Sequence, residues 1–127
     1  MNADLKQVSE RIIGCAYTVS STLGCGFLES VYERSLALEM RANGLNFEQQ
    51  KRRQVGYRET VVGEFVADFL VERVFIIEIK AVRAIGSEHQ AQLLNYSNAS
   101  GLRIGLLINC GTPRAQVKRM VNRLRET

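Results

Sequence analysis

The sequence predicts an α/β domain of the α+β kind, a central mixed β-sheet flanked by helices in the order helix, helix, three strands, helix, strand, helix. Three observations predict it. Residues Glu64 to Val82, EFVADFLVERVFIIEIKAV, form two runs rich in apolar and β-branched residues, interrupted by the polar pair Glu72-Arg73 as a tight reversal would interrupt them. Apolar residues recur three and four apart near the N-terminus and again from Leu28 to Ala42, the spacing of helices with one buried face. A short, almost continuously apolar run, LRIGLLIN at Leu102 to Asn109, has the pattern of a strand covered on both faces.

Leu5 to Thr22 is the first helix, its buried stripe carried by Leu5, Val8, Ile12, Cys15, Ala16 and Val19. Leu23-Gly24-Cys25-Gly26 breaks it, because a glycine takes positive φ without a Cβ clash and a pair of them suits a sharp turn. The second helix spans Leu28 to Ala42, with Leu28, Val31, Leu38 and Ala42 on one stripe and Tyr32, Leu36 and Met40 beside it. Asn43-Gly44 is a left-handed stop. Glu29 falls in the first turn, where the macrodipole favours a carboxylate by ~0.3–1 kcal/mol.

Asn46 to Gly56 reads as a first strand, made polar by Lys51-Arg52-Arg53 and therefore placed at an edge. Those three cations suit either a solvated strand face or the rim of a nucleic-acid surface. A turn near Arg58-Glu59 leads into the central hairpin. If its reversal is centred near Arg73, Asp68 stands opposite Glu78, and the strand period of two brings Asp68, Glu78 and Lys80 to one side. Phe75, Ile77 and Ile79 then fill the core behind them. A third helix runs from Ser87, a candidate cap, to Ala99, with Gly101 just past its end. His89, Gln92 and Tyr96 share one of its faces. After the buried strand, Cys110-Gly111-Thr112-Pro113 reads as a turn with Thr112 as cap and Pro113 at the first helical position. The last predicted helix reaches Arg125, with Val117, Met120, Val121 and Leu124 on its apolar side and five basic residues elsewhere.

Composition bounds the function. At 127 residues, 46% hydrophobic and 24% charged, the chain has the size and balance of one globular domain over residues 1–127. No run approaches the ~20 consecutive apolar residues of a membrane span, and MNADLKQVSERI lacks the basic-then-apolar order of a secretory leader, so the expected compartment is the cytoplasm. Three cysteines, Cys15, Cys25 and Cys110, come without a CxxC or a histidine cluster and read as free thiols. A net charge of +4 permits a phosphate-rich partner.

Taken alone, Asp68, Glu78 and Lys80 read equally as a cross-strand ion pair on a wet sheet face. Their arrangement, Asp-(x9)-Glu-x-Lys on paired strands, resembles the motif of the PD-(D/E)xK, or restriction-endonuclease-like, nuclease superfamily. Gly26-Phe27-Leu28-Glu29-Ser30-Val31-Tyr32 is similar to the signature of its GxxExxY branch, as are HQAQLLNY at 89–96 and GLRIGLLINCG at 101–111. Gln92-x-x-x-Tyr96 resembles the QxxxY element of RecB-type nucleases. Ala67 departs from the pattern where the superfamily's proline would stand, and Cys110 stands where the branch would have an aromatic.

The resemblance implies an αβββαβ core with an extra helix at each end, and a magnesium- or manganese-dependent nuclease acting on DNA. It implies Asp68, Glu78, Glu29 and the backbone carbonyl of Ile79 as metal ligands, and Lys80 beside the attacking water. Gln92 and Tyr96 would orient substrate or nucleophile. The competing expectation is a catalytically silent nuclease fold that binds nucleic acid or a protein. So small a chain would take specificity from self-association or another protein.

Overall fold

The structure, a computed structural model, describes residues 2–101 and 104–121. Helices α1 (Asn2–Leu23) and α2 (Glu29–Ala42) are followed by strands β1 (Phe47–Tyr57), β2 (Thr60–Val71) and β3 (Phe75–Lys80), helix α3 (Ser87–Ser100), and strands β4 (Ile104–Asn109) and β5 (Gln116–Val121). The five strands form one sheet in the order β1-β2-β3-β4-β5. Only β3 and β4 run parallel, and α3 is the crossover that such a pair requires. The predicted mixed sheet flanked by helices is the observed architecture.

The two faces of the sheet carry separate cores. Ile12, Cys15, Ala16 and Val19 of α1 and Tyr32, Leu36 and Met40 of α2 pack with Phe69, Phe75, Ile77, Ile79, Leu106 and Ile108. On the other face Leu93 of α3 packs with Phe65, Ala67, Ile76 and Leu107, and Tyr96 lies against this cluster. Gly105 explains how α3 comes so close: a Cβ there would meet Leu93 Cγ at 2.8 Å. Phe75, Ile77 and Ile79 are buried as predicted.

Four readings are corrected. The buried stripe of α2 is Tyr32, Leu36, Ala37 and Met40, whereas Leu28 and Leu38 are exposed at 76% and 65%. The cap of α3 is Gly86 rather than Ser87, and its N–H donates to His89 Nδ1 at 3.1 Å, so His89 works as part of a helix start. The segment after Pro113 is a strand, not a helix: β5 pairs antiparallel with β4 from Asn109↔Gln116 to Ile104↔Val121. Residues 122–125 of that predicted helix lie outside the described residues. Pairing wins because β4 would otherwise leave a row of backbone donors and acceptors unmatched beside a buried strand, a cost that local helical spacing cannot offset.

The fourth correction concerns the side-chain period of β2. Phe65 and Ala67 face the α3 core, yet Phe69 and Val71 face the α1/α2 core, so odd-numbered residues change sides across Asp68. The β1–β2 register passes from Gln49↔Phe69 to Lys51↔Ala67 without a pair between them, and Gln50 takes φ 54° there. A positive φ at a residue with a Cβ marks a local irregularity. One consequence is that Glu64 does not share a face with Asp68 by parity; it receives Arg52 Nη1 at 2.7 Å.

Candidate active site

The site lies where β2 parts from β3. Antiparallel pairing holds from Val71↔Phe75 to Phe69↔Ile77 and stops before Asp68 and Glu78, which the same register would place opposite each other. The Ile79 N–H, left without a backbone partner on β2, donates to Asp68 Oδ2 at 2.7 Å. Asp68 therefore stands in for the ladder at the point where the strands diverge, with its remaining oxygen turned towards Gln50 Nε2 at 3.3 Å. Glu78 and Lys80 alternate with the buried Ile77 and Ile79, which sets them on the α3 side with Ile76.

Asp68 and Glu78 lie close enough for each carboxyl to bear on the other's ionisation. Burial pushes Glu78 from its ordinary 4.5 up to about 8; the Asp68 charge and hydrogen bond and the charge of Glu29 add to it, and Lys80 opposes it. Asp68 is also raised, first by burial, with the Glu33 charge adding, while the Ile79 N–H, the Glu78 hydrogen bond and Gln50 oppose the shift. Two half-buried carboxyls held together are costly unless a proton or a cation compensates them.

The predicted trio is thus brought together. Glu29 begins α2 on an exposed turn, within electrostatic range of Glu78. The loop before it is shaped by Gly24 and Gly26, with φ of 71° and 114°, and is pinned by Tyr32, whose hydroxyl donates to Gly24 O at 2.7 Å and accepts from Phe27 N–H at 3.2 Å. Gln92 Nε2 donates to Tyr96 Oη at 3.1 Å, and the Tyr96 ring stacks on Phe65 with centroids 4.0 Å apart. That pair occupies the α3 side, as Glu78 and Lys80 do.

Two neighbours were not anticipated from the sequence. Glu33 accepts from Gln49 Nε2 at 2.8 Å and from Gln50 Nε2 at 2.9 Å, so the two amides link α2 to the irregular point of β1 beside Asp68. Glu33 follows Glu29 by one helical turn, a spacing that put it on the same face. Gln50 had no comparable signal, because its reach depends on its own unusual φ.

Among the described residues, no three histidine, cysteine or acidic side chains are gathered around one point. The donor chemistry nevertheless fits a hard divalent cation: the Asp68/Glu78 pair offers only oxygens, is partly desolvated and carries mutually repelling charge that a cation would offset. Cys15 and Cys110 are buried and Cys25 is exposed, all three as free thiols; burial pushes Cys110 up to about 11, which makes it a packing residue at the end of β4.

Known proteins bear on this geometry. The sequence profile of the PD-(D/E)XK nuclease superfamily matches residues 6–120. The chain belongs to that superfamily. The crystal structure of SSO0001 superposes with a TM-score of 0.57 at 21% identity, covering 72% of this chain and 50% of that one, so this chain spans about half the length of SSO0001. An alkaline exonuclease from Laribacter hongkongensis, LHK-Exo, superposes with a TM-score of 0.49 at 13% identity over 89% of this chain and 81% of its own. The likeness to SSO0001 concerns the fold. Among curated proteins none matches the sequence. No described helix is long and apolar enough to cross a membrane.

Proposed function

We propose that this protein is a metal-dependent nuclease of the GxxExxY branch that hydrolyses phosphodiester bonds of DNA. The observation that carries the reading is the Asp68/Glu78 pair, two half-buried carboxyls beside Lys80 at the point where β2 leaves β3 and Asp68 accepts the Ile79 N–H. Membership of the nuclease superfamily supports it, and so does the net charge of +4. A divalent ion, Mg²⁺ or Mn²⁺, would be held by Asp68, Glu78 and the Ile79 carbonyl with Glu29 as a further or water-mediated ligand, and would supply Lewis acidity and an activated water.

The chain's own groups have separable tasks. Lys80 sets an ammonium beside the reacting phosphate, where it offsets the negative charge that grows as the new bond forms. Gln92 and Tyr96, already joined by a hydrogen bond and braced on Phe65, orient the substrate strand on the α3 side. Glu33, Gln49 and Gln50 hold Asp68 in position rather than touching the substrate.

The test is cleavage of single- and double-stranded DNA and RNA by purified protein, in Mg²⁺ or Mn²⁺ against EDTA, alongside calorimetric titration of Mn²⁺. The wild type cuts DNA only with metal. Lys80→Ala lowers turnover by about 10²-fold or more, the scale of a lost charge-stabilising group, and leaves Mn²⁺ binding in place. Glu78→Gln loses both. Equal cleavage by wild type and Lys80→Ala would mean that the activity is not the protein's own. Tight binding of DNA with no turnover in any metal would replace this reading by a silent nucleic-acid-binding domain.

A further inference from the structure

A second site stands on the other side of the same end of the sheet. A cleft of ≈ 430 Å³ opens between the C-terminal half of α1 and the β4–β5 turn, lined by Tyr17, Thr18, Ser20, Ser21, Pro113 and Arg114. We propose that it is a phosphate subsite, holding a backbone phosphate of the bound nucleic acid some way along the chain from the reacting one. The inference rests on the nuclease reading and extends it to a residue set that reading does not use.

Arg114 is the reason. Its guanidinium lies over the Tyr17 ring at 4.9 Å, which fixes its plane and leaves the in-plane N–H fork available. Among the described residues no carboxylate forms an ion pair with it. A stacked guanidinium without a counter-ion at the mouth of a cleft has the geometry that binds a phosphate through two parallel hydrogen bonds. Ser20, itself buried, fixes the site: its Oγ accepts the Ala115 N–H at 2.8 Å and locks the turn that carries Arg114 onto α1. Thr18 and Ser21 already donate to carbonyls of α1 and act as walls.

The cleft is tied to the proposed active site by both of its sides. The Cys110 N–H donates to Lys80 O at 2.8 Å, and Arg114, four residues further on, is within about 14 Å of Cys110 by chain length alone. From the other side, Ser20 O accepts the Gly24 N–H at 2.8 Å, which opens the loop leading to Glu29. A nucleic-acid strand that continued past Lys80 around the end of β3 would bring one of its further phosphates to Arg114.

Two measurements on the full chain test this. In EDTA, the affinity for a short DNA duplex is followed by fluorescence anisotropy against salt concentration. Arg114→Gln is expected to weaken binding about tenfold and to reduce the slope of log K against log salt by about 0.9, the loss of one phosphate contact. Tyr17→Leu, which removes the stacking platform, gives a smaller loss, and Arg114→Gln keeps the wild-type melting temperature because Arg114 is exposed. The second measurement is an NMR titration with inorganic phosphate, which shifts the Ala115 and Ser21 amides in the wild type and not in Arg114→Gln. An unchanged DNA slope in Arg114→Gln overturns the proposal, whether or not phosphate shifts those amides; shifted amides with an unchanged slope would mark a site for free phosphate alone. Neither measurement depends on turnover, so a wild type that fails to cut DNA with metal refutes the nuclease reading separately.

Discussion

Burial, the Asp68 carboxyl and the charge of Glu29 all oppose ionisation of Glu78, and the Lys80 charge favours it, leaving it at about 8. Because that value lies above the unfolded one, the metal-free native state keeps a proton that the unfolded chain gives up above about pH 4.5. The stabilising contribution is complete in acid and is lost as pH rises towards 8; the upward shift of Asp68 has the same sign. In EDTA, the melting temperature is therefore expected to fall from about pH 5 to about pH 8.5, and Glu78→Gln to flatten that fall. Mn²⁺ should recover the wild type's loss at the alkaline end and do little for the variant. A thermal-shift series across pH with both proteins checks this. The hairpin register predicted Asp68 near Glu78, although the strands part before that pair and the alternation of β2 breaks at Asp68, neither of which the sequence signals. Glu33 was legible in principle from its spacing to Glu29. Gln50 was not, because only the backbone irregularity aims its amide at Asp68.

At the scale of elements, the hairpins were read correctly although neither carries a glycine or asparagine. Arg58 and Glu59 have φ of 50° and 64° in a two-residue turn, and Glu72 and Arg73 have 52° and 60° in the three-residue connection that Val74 completes, its N–H donating to Val71 O at 3.0 Å. The C-terminal strand was misread because Val117, Met120, Val121 and Leu124 imitate helical spacing and Thr112-Pro113 imitates a helix start. What decides the matter is the open side of β4, information held in tertiary structure. The turn between β4 and β5 also sets the end of β3: Asn109 accepts the Val82 and Gly111 N–H groups at 3.0 Å each and donates to Val82 O at 3.0 Å. A Cβ on Gly111 would meet Val82 O at 2.3 Å and Val82 N at 2.4 Å, and backbone cannot swing aside as a side chain can. Gly111→Ala is accordingly expected to cost about 1–3 kcal/mol, measured by urea unfolding, and to lower activity through displacement of Lys80.

The whole molecule is one sheet with a core on each face, and no core can be removed without exposing strands that the other shares. The 127 residues should then unfold in a single transition, with calorimetric and van't Hoff enthalpies equal; two resolved transitions would contradict the expected single domain. The divergence of β2 from β3 has a practical corollary for anyone probing this protein. Since the Asp68 carboxylate completes the hydrogen bonding of Ile79, whose residue is 3% exposed, trimming it to alanine strands a donor in the interior and costs about 1–3 kcal/mol before any chemistry is considered. The Asp68→Ala mutant would blur folding with function, and Lys80, whose side chain bonds to no main-chain group among the described residues, makes the cleaner knockout.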